Sequence, residues 1–100
     1  MSDEYIKRWA EKLMEYKTEE SNSIQDVRSE IEYIIMRHLR EVCGDIDEDE
    51  LRVYRDFDEE YFPEFNFIVP CGNKKVDIIV HVYGTVYAQI DYVDVVDKDS

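Results

Sequence analysis

From Ile6 to Val42, apolar residues recur every three or four positions, and after Gly44 the period falls to two. Ile6, Trp9, Ala10, Leu13 and Met14 make one helical stripe with Lys and Glu between them. The polar run Glu19-Glu20-Ser21-Asn22 interrupts it, and Ser23 then has the character of an N-cap, with Asp26 three residues on. Ile24, Val27, Ile31, Ile34, Ile35, Leu39 and Val42 form a second stripe. Arg37, His38 and Arg40 suit its negative end, and Gly44 suits the left-handed position beyond it. The alternating segments that follow predict strands: Leu51, Val53 and Phe57; Phe65, Phe67 and Val69; Val76 to Tyr83; and Val86 to Val96. Cys71-Gly72-Asn73-Lys74 and Gly84-Thr85 supply turns between the later strands.

This order predicts a single α+β domain over residues 1–100, with two N-terminal helices packed on one face of a four-stranded antiparallel sheet (ααββββ). Strict alternation turns Val76, Ile78, Val80 and Val82 toward the helices, with Val86, Ala88, Ile90 and Tyr92. Asp77, Ile79, His81 and Tyr83 then share the other face with Tyr87, Gln89, Asp91 and Val93. That mixed face suits either solvent or a second copy of the chain.

Charge changes the picture more than composition does. The chain has 25 acidic and 12 basic residues, a formal charge of −13, yet its 44% hydrophobic content suffices for a core. Residues 1–40 carry −2, residues 41–66 carry −9 and residues 67–100 carry −2. Such a surface repels phosphates, so neither direct nucleic-acid binding nor attachment to an anionic membrane is expected. The acidic start has no basic segment followed by an apolar one. We therefore expect a cytoplasmic protein in which Cys43 and Cys71 are reduced thiols serving as small packing residues.

Candidate chemistry is sparse. Acids at Asp45, Asp47 and Asp49 resemble the opening of an EF-hand calcium loop. Glu50 stands where that loop turns on glycine, Arg52 where it is apolar and Asp56 where glutamate is usual, so the run reads as an acidic loop. His38, His81, Cys43 and Cys71 lack the spacing of a zinc site, and three glycines form no phosphate loop. No cofactor or metal is expected.

One family resemblance runs from Val27-Arg28-Ser29-Glu30 through Lys75-Val76-Asp77-Ile78-Ile79-Val80 to Val86-Tyr87-Ala88-Gln89-Ile90-Asp91. It is similar to the core of restriction-endonuclease-like nucleases, in which acids on a helix and two strands hold magnesium. The resemblance implies Glu30, Asp77 and Asp91 as those acids. Val93 stands where the family has lysine, which implies a degenerate copy.

The acidic segment itself carries the leading expectation. Asp45, Asp47, Glu48, Asp49, Glu50, Asp56, Asp58, Glu59 and Glu60 are interleaved with Tyr54, Tyr61 and Phe62. Aromatic anchors within a charged rim are the material of a protein interface. Glu11, Glu15 and Glu19 form an i, i+4 row on the first helix, spaced by about 6 Å along its axis. These features predict a non-enzymatic inhibitor that mimics DNA and docks on a basic nucleic-acid-binding protein, as small phage anti-CRISPR and anti-restriction proteins do. An immunity protein that neutralises a nuclease toxin would use the same physics. A structural domain with an incidental acidic surface is the plainer alternative.

Overall fold

The computed structural model describes residues 3–21, 23–46, 52–56, 64–83 and 87–97. Helix α1 spans Asp3–Glu11 and tightens into a 3₁₀ turn over Lys12–Glu15. The chain is extended again at Tyr16 (φ −87°, ψ 141°), so Glu11, Glu15 and Glu19 do not lie in one helical row. Helix α2 spans Ile24–Cys43. The Ser23 hydroxyl accepts the Asp26 backbone N–H at 3.1 Å and so satisfies one of the open donors of the first turn. At the other end Gly44, at φ 75°, donates its N–H to the Arg40 carbonyl at 3.1 Å, a conformation that favours glycine.

Strands β1 (Arg52–Asp56), β2 (Glu64–Cys71), β3 (Lys74–Tyr83) and β4 (Tyr87–Asp97) pair antiparallel in the order β1-β2-β3-β4. The α+β class thus holds. Its body is the long β2-β3-β4 meander, with the five-residue β1 at one edge. Gly72, at φ 64°, makes the tight turn between β2 and β3.

The core lies between the helices and the sheet. Ile6, Ala10 and Leu13 from the first helical segment meet Val27, Ile31, Ile35 and Leu39 of α2, over Phe65, Phe67, Val69, Val76, Ile78 and Val80. Side chains of this kind each contribute about 1.5–3 kcal/mol when fully buried, which is how amphipathic stripes fix the packing of helix on sheet.

Two further expectations are corrected. The first concerns the phase of β4. Ile79 pairs with Tyr92 and Val80 with Ile90, so Asp91 is an extra residue in the ladder. Beyond this bulge the faces exchange. Val93 is 6% exposed and joins the core, whereas Tyr92 is 43% exposed on the face opposite the helices. The second concerns the cysteines. Cys43 ends α2 and Cys71 ends β2, and packing the helix over the sheet brings their Cα atoms to 4.5 Å. The two sulfurs are joined in a disulfide and are not free thiols. Among the described residues no helix is long and apolar enough to cross a membrane.

Candidate docking face

Because side chains alternate along a strand, the face of the sheet turned from the helices collects the polar half of each strand. Glu64 and Asn66 come from β2, Asp77, His81 and Tyr83 from β3, and Tyr87, Asp91, Tyr92 and Asp94 from β4. The bulge enriches it, since both Asp91 and Tyr92 are exposed where regular pairing would have turned one of them inward.

His81 is the hub of one half. Its Nε2 lies 2.9 Å from Glu64 Oε2 and its Nδ1 lies 2.7 Å from Asp91 Oδ2, so one imidazole ties β2, β3 and β4 together. An imidazolium donates to both carboxylates, whereas a neutral ring donates to only one. The Tyr83 hydroxyl also donates to Asp91 Oδ2, at 3.4 Å, and the Tyr83 and Tyr87 rings stack with centroids 5.0 Å apart. Loss of surrounding water, and then the Asp91 charge, push the Tyr83 phenol above its ordinary value. Lys17, from the segment running alongside β4, sits over the Tyr87 ring at 4.2 Å.

The other half is more strongly acidic. Asp77 and Asp94 stand directly opposite each other in the β3–β4 ladder, an unfavourable pairing of like charges. The Tyr92 hydroxyl donates to Asp94 Oδ2 at 3.2 Å. The Asp94 charge, followed by loss of water around the ring, raises the Tyr92 phenol above its ordinary value. Lys7 of α1 reaches Asp94 at 3.6 Å, too exposed and long a pair to offset the repulsion fully. Asn66 Oδ1 and Asp77 Oδ1 are buried with no hydrogen-bond partner among the described residues. The carboxylates share the outer face with Lys75 and Gln89 and with the apolar Ile68 and Ile79.

Of the residues expected to bind a partner, Tyr54 and Asp56 lie in β1, in backbone register with Asn66 and Glu64 respectively. Asp45 lies away from this face, after α2, where its carboxylate takes the Arg40 Nε at 3.0 Å. Asp47, Glu48, Asp49, Glu50, Asp58, Glu59, Glu60, Tyr61 and Phe62 lie outside the described residues.

The nuclease-like acids do not converge. Asp77 and Asp91 are on the outer face, while Glu30 belongs to α2 on the other side of the sheet. Among the described residues no three His, Cys, Asp or Glu side chains are placed to hold a metal ion. Sequence reading missed Tyr92 and Asp94 as members of the acidic face. Their signal was a phase slip: Ala88 and Ile90 are followed by Val93 and Val95, two alternating series offset by one residue. Comparison with protein-family models, with curated proteins and with solved structures finds no match.

Proposed function

We propose that this chain is a non-enzymatic binding protein that docks on the basic nucleic-acid-binding surface of a partner protein and blocks it by imitating a phosphate backbone. The observation that carries this reading is the outer sheet face. Glu64, Asp77, Asp91 and Asp94 are displayed there beside Tyr83, Tyr87 and Tyr92, in register with β1 of the acidic segment. Carboxylates steer a cationic partner from a distance, and tyrosines supply contact area at low entropic cost once it arrives. A second copy of the chain is a poorer occupant, because two such faces would oppose four carboxylates to four, on molecules of charge −13.

The test is competition. A basic DNA-binding protein captured by this chain should release fluorescent duplex DNA in proportion to added protein, and capture should weaken steeply with salt. Each acid that meets a partner cation is worth about 1.5 kcal/mol or more, so Asp77→Lys with Asp94→Lys should weaken competition by at least ~100-fold. Circular dichroism would verify that the variant is folded. Competition that survives this double reversal would dispose of the proposal.

A further inference from the structure

The disulfide closes a covalent ring around the acidic part of the molecule. Between Cys43 and Cys71 lie ten acidic residues and two basic ones, a net charge of −8 out of −13. The ring also contains β1, a five-residue strand at the sheet edge that, among the described residues, pairs with β2 alone. Like charges within a Debye length of about 8 Å repel, and an edge strand has a partner on one side only, so this part of the fold has most to gain from a covalent tether. The bond is placed to supply it, fastening the end of the helical layer to the end of β2.

We propose that Cys43–Cys71 is a redox latch: oxidised, it holds β1 against β2, and reduced, it lets β1 leave while the core beneath α1 and α2 stays folded. The two sulfurs differ in access, since Cys43 is partly exposed and Cys71 is 3% exposed. A small-molecule thiolate therefore attacks Cys43 Sγ, forming a mixed disulfide, and Cys71 departs as the thiolate. A second external thiolate then attacks the external sulfur of that mixed disulfide and releases Cys43. Two electrons and two protons end on the protein thiols, and the external thiols leave as their own disulfide.

The core supports the second half of the proposal. Val27, Ile31, Ile35 and Leu39 of α2 share one buried core with Ile78 and Val80 of β3 and Ile90 of β4. Releasing a loop of this length multiplies the open population by about two to three orders of magnitude in the chain-entropy limit of complete opening. A local opening uses part of that factor.

Arg52 and Arg55 make the test direct, because they are the only Lys or Arg residues between the two cysteines. Limited trypsin digestion of the full chain, air-oxidised or treated with dithiothreitol, is followed by mass spectrometry of each cleavage site. Cleavage at Arg52 and Arg55 should accelerate at least ~10-fold on reduction, while sites in α2 such as Arg28 and Arg37 change little. Cys43→Ser with Cys71→Ser should reproduce the reduced pattern without reductant. Molar salt should slow cleavage of the reduced ring by screening its charge. Three results would overturn the proposal: two titratable thiols after mild oxidation, equal cleavage of the ring in both states, or equal acceleration at every site. The last would make the bond a global staple with no local role. None of these readouts depends on docking to a partner.

Discussion

Two single-residue contacts hold the layers together more specifically than burial alone. Trp9 Nε1 donates to the His38 carbonyl at 2.7 Å, and His38 Nε2 donates to the Trp9 carbonyl at 2.6 Å. The two rings stack with centroids 4.7 Å apart, so α1 and α2 are clamped by both main chain and side chain. His38→Ala strands the Trp9 carbonyl and removes the stack, and should cost about 2–4 kcal/mol in urea denaturation. Thr18 does similar work at the sheet edge: its N–H donates to the Ala88 carbonyl at 3.0 Å and its hydroxyl accepts the Ala88 N–H at 2.8 Å. Thr18 is 3% exposed, so Thr18→Val leaves the Ala88 donor dry and should cost about 1–3 kcal/mol. The raised phenols of Tyr83 and Tyr92 set a pH dependence. Their protonated forms are favoured in the folded state, so this contribution is complete below the unfolded value near 10 and is lost as pH rises through the folded values. Thermal melts should therefore fall less steeply above about pH 10 for Tyr83→Phe with Tyr92→Phe than for the parent.

At the scale of elements, the bulge in β4 decides which side chains meet the core and which meet a partner. Regular alternation would bury Tyr92 and expose Val93, whereas the structure does the reverse, and substitution separates the two. Val93→Asn buries an amide with no partner and should cost more than about 2 kcal/mol, while Tyr92→Asn, on an open face, should cost less than about 1 kcal/mol. The opposite ranking by chemical denaturation would restore the regular register. Much of the fold was legible because local signals agreed. Ser23 and Gly44 bracket α2, and Phe65, Phe67 and Val69 alternate without interruption. The unread parts depend on tertiary context. Helix α1 yields to a 3₁₀ turn after Glu11 where the chain must swing toward β4, which it meets through Thr18. The bulge rests on one residue in an otherwise plausible alternation. The disulfide arises from the meeting of two element ends that lie 28 residues apart in the chain, a proximity that no local pattern encodes. The candidate face was half legible: Asp77, His81 and Asp91 fall on it by alternation, but the tie from His81 to Glu64 requires the β2–β3 register.

For the molecule as a whole, the question is whether a charge of −13 is offset within the fold or is left for a partner to neutralise. The described ion pairs argue for the second. Arg8–Glu4 and Arg40–Asp45 are largely exposed and Lys7–Asp94 is half-exposed, and pairs of that kind contribute about 0–1 kcal/mol each. Salt weakens them, but it weakens the repulsion among the surplus acids as well. With 25 acids and 12 bases, repulsive pairs outnumber attractive ones, so screening must favour the folded state on balance. The melting temperature should consequently rise between about 10 mM and 1 M sodium chloride, as the Debye length contracts from roughly 30 Å to 3 Å. A gain of even 1 kcal/mol corresponds to about 4–8 °C in a domain of this size. Docking on a cationic partner should respond in the opposite sense, weakening over the same salt range. Calorimetric melts and binding titrations run in one salt series would thus display the two halves of the same charge. A melting temperature that fell with salt would mean that attractive pairs dominate the folded state despite the net charge of −13.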